Sequence, residues 1–96
     1  MVLEELCNLN AVSGDEENVR NFILDKIRPY ADEIKIDIMG NLIAYVKGKS
    51  SAKKIMIAAH MDEVGLIVSK ITDDGYLKFK TVGGIDERIL PTKRVE

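Results

Sequence analysis

Residues 55–71, with the sequence IMIAAHMDEVGLIVSKI, decide the fold of this 96-residue chain. The first five of them, Ile55–Ala59, are apolar without alternation, a pattern typical of a strand that is covered on both faces. We therefore expect a central strand of a sheet that ends at His60. After Asp62 the pattern alternates again, which predicts a further strand that begins at Gly65.

Two helices are predicted before this stretch. Cys7 lies at helical spacing from the leucines that precede it, and we expect it to be a small buried residue of the first helix. A reactive thiol is the alternative, but nothing nearby in the sequence would lower its pKa. Ser13, followed three residues later by Glu16, predicts a capping box for the second helix. Pro29 predicts the end of that helix, because proline donates no backbone hydrogen bond.

Alternation with a period of two, interrupted by turn residues, predicts four strands paired as two antiparallel hairpins. The predicted strands are residues 34–38, 42–46, 65–71 and 76–82.

Composition excludes several classes of protein. The chain is 46% hydrophobic and 31% charged, as is usual for a soluble globular domain. Its formal net charge of -2 argues against a nucleic-acid partner, which would require clustered Lys and Arg. The N-terminal sequence has neither the basic region of a secretory signal nor an apolar run long enough to enter a membrane. We expect a cytoplasmic protein with no membrane partner, and the single cysteine allows no internal disulfide.

His60 and Asp62 are the residues best suited to carry chemistry. Ligands of open α/β sheets bind beyond the carboxyl ends of the strands, which is where His60 is predicted to lie. If the extended conformation persists, the two side chains share one side of the backbone. An imidazole can bind a metal through one nitrogen while a carboxylate accepts a hydrogen bond from the other. We therefore predict that Asp62 orients His60.

The pattern alone leaves simpler interpretations open. A catalytic zinc usually takes three protein ligands, so a lone histidine at a strand end is often a hydrogen-bonded structural residue. Asp62 and Glu63 are equally compatible with a pair of solvated loop carboxylates.

The block Ala58–Val68 closely resembles the family of tetrahedral and deblocking aminopeptidases, whose members are sometimes labelled glutamyl aminopeptidase or endoglucanase. Further segments agree with the family in the same order, so the resemblance covers essentially the whole chain. They are Val12–Glu17, Asp37 with Gly40 and Asn41, Gly83–Asp86, and Ile89–Pro91. One position departs from the family pattern: family members commonly have glycine after Leu-Pro, where this chain has Thr92.

The resemblance implies an α/β fold, namely the N-terminal part of a zinc-exopeptidase-like α/β/α catalytic domain with the start of an inserted β domain. Residues 1–68 are expected to belong to the catalytic domain, and residues 69–96 to begin the inserted domain, which mediates dimerisation and larger assembly. The chain is then expected to be an N-terminal fragment of the enzyme, inactive alone.

The resemblance also implies the chemistry of the site. His60 matches a ligand of one of two divalent metal ions, zinc or cobalt, and Asp62 matches a catalytic carboxylate that orients it. The remaining ligands and the general base have no counterpart in this sequence. The complete enzyme is expected to be a homo-oligomer that hydrolyses N-terminal residues from peptides. Glu63 matches the family pattern too, but no chemical role for it follows.

Two other functions stay open. The chain alone is also compatible with a non-catalytic truncated remnant or interaction module, because most of the metal ligands are missing from it. The endoglucanase label is a weaker alternative, since glycoside hydrolysis needs two carboxyl groups flanking the bond and no such pair is identified.

Overall fold

A computed structural model describes residues 1–50 and 53–95. Ser51 and Ala52, which fall within the predicted catalytic unit, lie outside the described residues, as does Glu96 at the end of the predicted inserted unit.

The two predicted helices are present. Helix α1 spans Val2–Cys7 and helix α2 spans Glu17–Ile27, after which Arg28–Tyr30 form a 3₁₀ turn that contains Pro29. The helices are linked by the ammonium group of Lys26, which lies 3.5 Å from a carboxylate oxygen of Glu5.

Two expectations for the helices are wrong. Cys7 is exposed, because α1 makes few contacts among the described residues. The capping box is absent: α2 begins after Glu16 without a side-chain cap, and the carboxylate of Glu16 instead accepts a hydrogen bond from the backbone N–H of Gly14 at 2.6 Å. The hydroxyl group of Ser13 instead donates a hydrogen bond to the carboxylate of Asp62.

Both predicted hairpins are confirmed. Strand β1 (Glu33–Ile36) pairs antiparallel with β2 (Leu42–Tyr45), and β3 (Gly65–Ile71) pairs antiparallel with β4 (Leu77–Val82). The register of the second hairpin shifts between Val68 and Lys70, as at a β-bulge.

The central strand predicted for Ile55–Ala59 is wrong for this structure. No strand is assigned there, and the side chains of Ile55 and Ile57 are 90% and 93% exposed. A strand needs a neighbour to pair its backbone groups, and the two described hairpins pair only within themselves. The apolar pattern is present, but nothing among the described residues covers it.

The described residues share very little buried apolar surface. Ala11 and Val19 are the buried hydrophobic residues among them. The radius of gyration is 18.2 Å, against roughly 12–13 Å for a compact domain of this length. The fold is therefore a mixed arrangement of helices and two-stranded antiparallel sheets, and its described part does not form the layers of an α/β/α sandwich. Within that part, no helix is long and apolar enough to cross a membrane.

A single parallel bridge between Val12 and Glu63 joins the segment before α2 to the segment before β3. The bridge brings together residues about fifty positions apart and places the N-terminal segment beside the predicted site residues. It is the contact on which the geometry of the site depends.

Candidate functional site

The predicted pair of site residues is in contact. The Nδ1 atom of His60 lies 3.1 Å from the carboxylate atom Oδ1 of Asp62 and also 3.1 Å from the backbone oxygen of the same residue. This confirms the contact expected from the sequence. The imidazole is 86% exposed and the Asp62 side chain 39% exposed.

The two contacts determine where the proton of the neutral imidazole lies. A backbone carbonyl can only accept a hydrogen bond, and an ionised carboxylate likewise only accepts. Nδ1 of His60 must therefore be the donor, and Nε2 keeps its lone pair. Nε2 has no hydrogen-bond partner among residues 1–50 and 53–95, so it is the atom available to a ligand.

The second carboxylate oxygen of Asp62 accepts a hydrogen bond from Ser13, which lies 49 positions earlier in the sequence. The hydroxyl group of Ser13 donates a hydrogen bond of 2.5 Å to Oδ2 of Asp62. This bond is the main reason that the pKa of Asp62 lies below its ordinary value of 3.8, and the hydrogen bond from His60 acts in the same direction. Asp62 is therefore ionised at neutral pH with a partner on each oxygen.

Glu63, for which the sequence offered no role, fastens the N-terminal segment beside the pair. Its backbone N–H donates to the carbonyl of Ala11 at 2.8 Å, and its carbonyl accepts from the N–H of Ser13 at 3.2 Å. Its side chain adds a third bond, in which Oε1 accepts from the N–H of Ala11 at 3.3 Å. We call these three hydrogen bonds the 11–63 clamp.

Sequence reasoning assigned neither Ser13 nor Glu63 to the site. Ser13 matched a local capping pattern, whereas its partner Asp62 lies 49 positions away. The family resemblance of the segments that contain both residues was the one signal that could have suggested their proximity.

The donor set fits one coordination position of a metal ion. A histidine whose Nδ1 is held by a carboxylate is a usual form of metal ligand, since the bond fixes the tautomer and raises the basicity of Nε2. Within the described part of the chain, no three His, Cys, Asp or Glu side chains cluster closely enough to hold a metal alone. His60 is therefore suited to be one ligand among several.

Comparisons with known proteins identify the class. The chain is a member of a peptidase family, and the family model described as M42 glutamyl aminopeptidase matches residues 40–96. The chain belongs to the M42 glutamyl aminopeptidase family, which confirms the resemblance found in the sequence.

Individual relatives agree with this assignment. A protein of Acetivibrio thermocellus, named provisionally as an aminopeptidase, is 50% identical over 84 residues, which are 88% of this chain and 25% of the relative. The crystal structure of an endoglucanase from Thermotoga maritima is 53% identical, with a TM-score of 0.87 over 93% of this chain and 29% of that one. A solved structure of PhTET1-12s, a dodecamer, is 41% identical in sequence, with a TM-score of 0.80. The match covers 93% of this chain and 26% of that one. The chain spans about a quarter of the length of the curated relatives that it matches.

Proposed function

We propose that this chain contributes one metal ligand, His60, and its orienting carboxylate, Asp62, to a metal-dependent aminopeptidase that removes N-terminal residues from peptides. The observation that carries the proposal is the 3.1 Å contact between Nδ1 of His60 and Oδ1 of Asp62, which leaves Nε2 free to bind a metal. Membership of the aminopeptidase family supports the reaction class.

The residues of this chain hold and orient the site. Nε2 of His60 would bind one of two divalent ions, zinc or cobalt. Asp62 accepts a hydrogen bond from Nδ1–H, which orients the ring and fixes the tautomer that leaves Nε2 as the ligand atom. When bound, the metal ions supply Lewis acidity at the scissile peptide carbonyl. The contact between His60 and Asp62 is already formed in this structure.

We propose the same division of the chain as the sequence suggested. Residues 1–68 would belong to an α/β/α catalytic domain and residues 69–96 would begin an inserted β domain that mediates assembly. Strand β3, Gly65–Ile71, would then cross from one to the other, with its register shift next to the boundary. A homo-oligomer is supported by the dodecamer of the similar PhTET1-12s. The cytoplasmic location stays a prediction.

The decisive experiment is the substitution His60→Ala in the full-length protein. We expect loss of one of the two metal ions, measured by elemental analysis of the purified protein, together with loss of activity on aminoacyl anilides. Tyr76→Ala is the matched control, because Tyr76 is an aromatic residue that is 71% exposed in the second hairpin. Full metal occupancy in His60→Ala would reject the proposal. An unaltered protein with neither metal nor peptidase activity would favour the non-catalytic interaction module.

The endoglucanase name of the Thermotoga maritima protein defines the competing activity. Two carboxyl groups must flank a glycosidic bond, with one free to protonate the leaving oxygen. Here the carboxylate of Asp62 is hydrogen-bonded to Ser13 and His60, and the carboxylate of Glu63 is hydrogen-bonded to the backbone of Ala11. Neither carboxyl group is therefore free to act as the acid. Hydrolysis of aminoacyl anilides without hydrolysis of carboxymethylcellulose would support the peptidase, and the opposite result would support the glycosidase.

A further inference from the structure

We infer that Ser13 is a positioning residue for the metal-binding histidine: its hydroxyl group fixes the Asp62 carboxylate, which in turn orients the imidazole of His60. The inference rests on the proposed function, because it assigns Ser13 a role in the same site. Its basis is the series of contacts from Ser13 Oγ to Asp62 Oδ2, at 2.5 Å, and from Asp62 Oδ1 to His60 Nδ1, at 3.1 Å.

A carboxylate held at one oxygen can still rotate about its terminal bond. Asp62 is held at both oxygens, by Ser13 on one and by His60 on the other. Because Asp62 is partly exposed, packing alone does not fix its rotamer. The hydroxyl group of Ser13 therefore supplies the second point of attachment that keeps Oδ1 directed at the imidazole.

Ser13 is itself held by the backbone. Its N–H donates to the carbonyl of Glu63 at 3.2 Å as part of the 11–63 clamp, and the adjacent turn is closed by a 2.8 Å bond from the N–H of Asp15 to the carbonyl of Val12. Gly14 follows with a φ of 95°, a conformation that glycine adopts readily. The position of the hydroxyl group is thus determined by hydrogen bonds between distant segments.

A capping role does not compete for this hydroxyl group. Helix α2 begins at Glu17, and no side chain caps its first turn. Glu16 serves as the residue before the helix, and its carbonyl accepts the N–H of Arg20 at 2.9 Å. The serine that looks like a helix cap in the sequence is therefore bonded to the candidate site instead.

The test compares Ser13→Ala with Ser13→Thr in the full-length protein. Metal affinity is measured by competition with a chelator, which reads out the site independently of catalysis. Removing an outer partner of a metal ligand typically costs about 10–100-fold in affinity, and because Ser13 acts through Asp62 we expect about 10-fold for Ser13→Ala. Ser13→Thr keeps a hydroxyl group and should restore most of the affinity. Ser13→Gly provides a second variant without the hydroxyl group if Ser13→Ala does not fold.

Ser69→Ala is the matched control. It removes a serine hydroxyl group that donates to the carbonyl of Lys78 at 3.2 Å, in the β3–β4 hairpin away from His60. Its metal affinity should equal that of the unaltered protein. A loss in Ser69→Ala as large as that in Ser13→Ala would overturn the inference, because it would indicate a general effect on folding.

A double-mutant cycle separates positioning from a structural role. If Ser13 acts through the carboxylate, Ser13→Ala adds no further loss of metal affinity in a protein that already carries Asp62→Ala. An equal additional loss in that background, or no loss in Ser13→Ala alone, would overturn the role of Ser13. Neither result depends on the His60→Ala experiment: retention of both metals in His60→Ala rejects the proposed function itself.

Discussion

A side-chain Cβ at Gly65 would lie 2.5 Å from the Cγ2 atom of Val12, closer than nonbonded carbon atoms approach in proteins. Gly65→Ala must therefore shift the side chain of Val12 or the segment that carries it. We expect the free energy of unfolding of the full-length protein to fall by about 1–3 kcal/mol, as for other overpacked positions, measured by urea denaturation.

Two variants check this explanation. Gly84→Ala is the control, because a Cβ at Gly84 meets no atom within 4 Å and its backbone is not in the left-handed region. The double variant Gly65→Ala with Val12→Ala should recover part of the lost stability by removing the clashing methyl groups. Equal destabilisation by Gly65→Ala and Gly84→Ala would contradict the steric account.

The side chain of Glu63 should stabilise the 11–63 clamp as a hydrogen-bond acceptor, and its negative charge should not be required. Its Oε1 atom accepts the N–H of Ala11 at 3.3 Å, and glutamine offers an equivalent acceptor. We expect Glu63→Gln to keep peptidase activity and stability, whereas Glu63→Ala loses about 0.5–1.5 kcal/mol from the 11–63 clamp. Comparing urea midpoints and activity of the two variants tests this. Loss of activity in Glu63→Gln with normal stability would instead indicate that the charge takes part in the chemistry.

The turn of the first hairpin predicts a pH dependence. The carboxylate of Asp37 accepts hydrogen bonds from the side chain and backbone of Asn41 and from the backbone of Met39, each at 2.9 Å. These bonds, with those of Asn41 the most important, lower the pKa of Asp37 below its ordinary value of 3.8. Because the pKa is lower in the folded protein, the stability that Asp37 contributes is present above the unfolded value and is lost as the pH falls through the folded value.

Carboxyl-detected NMR titration measures this pKa directly. Asn41→Ala removes the first cause of the shift and should raise the pKa of Asp37 toward 3.8, while Asp37→Asn should flatten the acid limb of the stability profile. An unchanged pKa of Asp37 in Asn41→Ala would contradict the assignment of the Asn41 side chain as the main cause of the shift.

The hairpins and helices were predictable because their signals are local. The Asp37–Asn41 turn and the alternating residues on either side contain the information that pairs β1 with β2. The run Ile55–Ala59 was not predictable in the same way. Its apolar residues indicate that it can be buried, but whether it forms a strand depends on neighbours that a local pattern cannot supply, and the described hairpins do not provide them.

In the candidate site, too, the local contact was predictable from the sequence and the long-range contact was not. The contact of His60 with Asp62 follows from a spacing of two residues and was predicted. Ser13 was assigned to a helix cap, since serine three residues before glutamate is a common local signal. Its actual partner is 49 residues away, and the 11–63 clamp holds the two segments together.

Thr92 is expected to be replaceable with a gain in stability. The N–H of Lys93 donates to the carbonyl of Leu90 at 3.1 Å, so Pro91 and Thr92 are the two central residues of a turn. Thr92 has a φ of 69°, in the left-handed region, and a turn with proline first and a positive φ second favours glycine at the second position.

A β-branched residue is strained at this φ by roughly 1–2 kcal/mol, whereas glycine loses about 0.5–1 kcal/mol through its more flexible unfolded state. We therefore expect Thr92→Gly to raise the free energy of unfolding of the full-length protein by about 0.5–1 kcal/mol, measured by urea denaturation. Thr92→Val is the matched control, because valine has nearly the shape of threonine, keeps the branched Cβ and should give no gain. An equal increase in both variants would show that the gain comes from removing the hydroxyl group and not from relief of backbone strain.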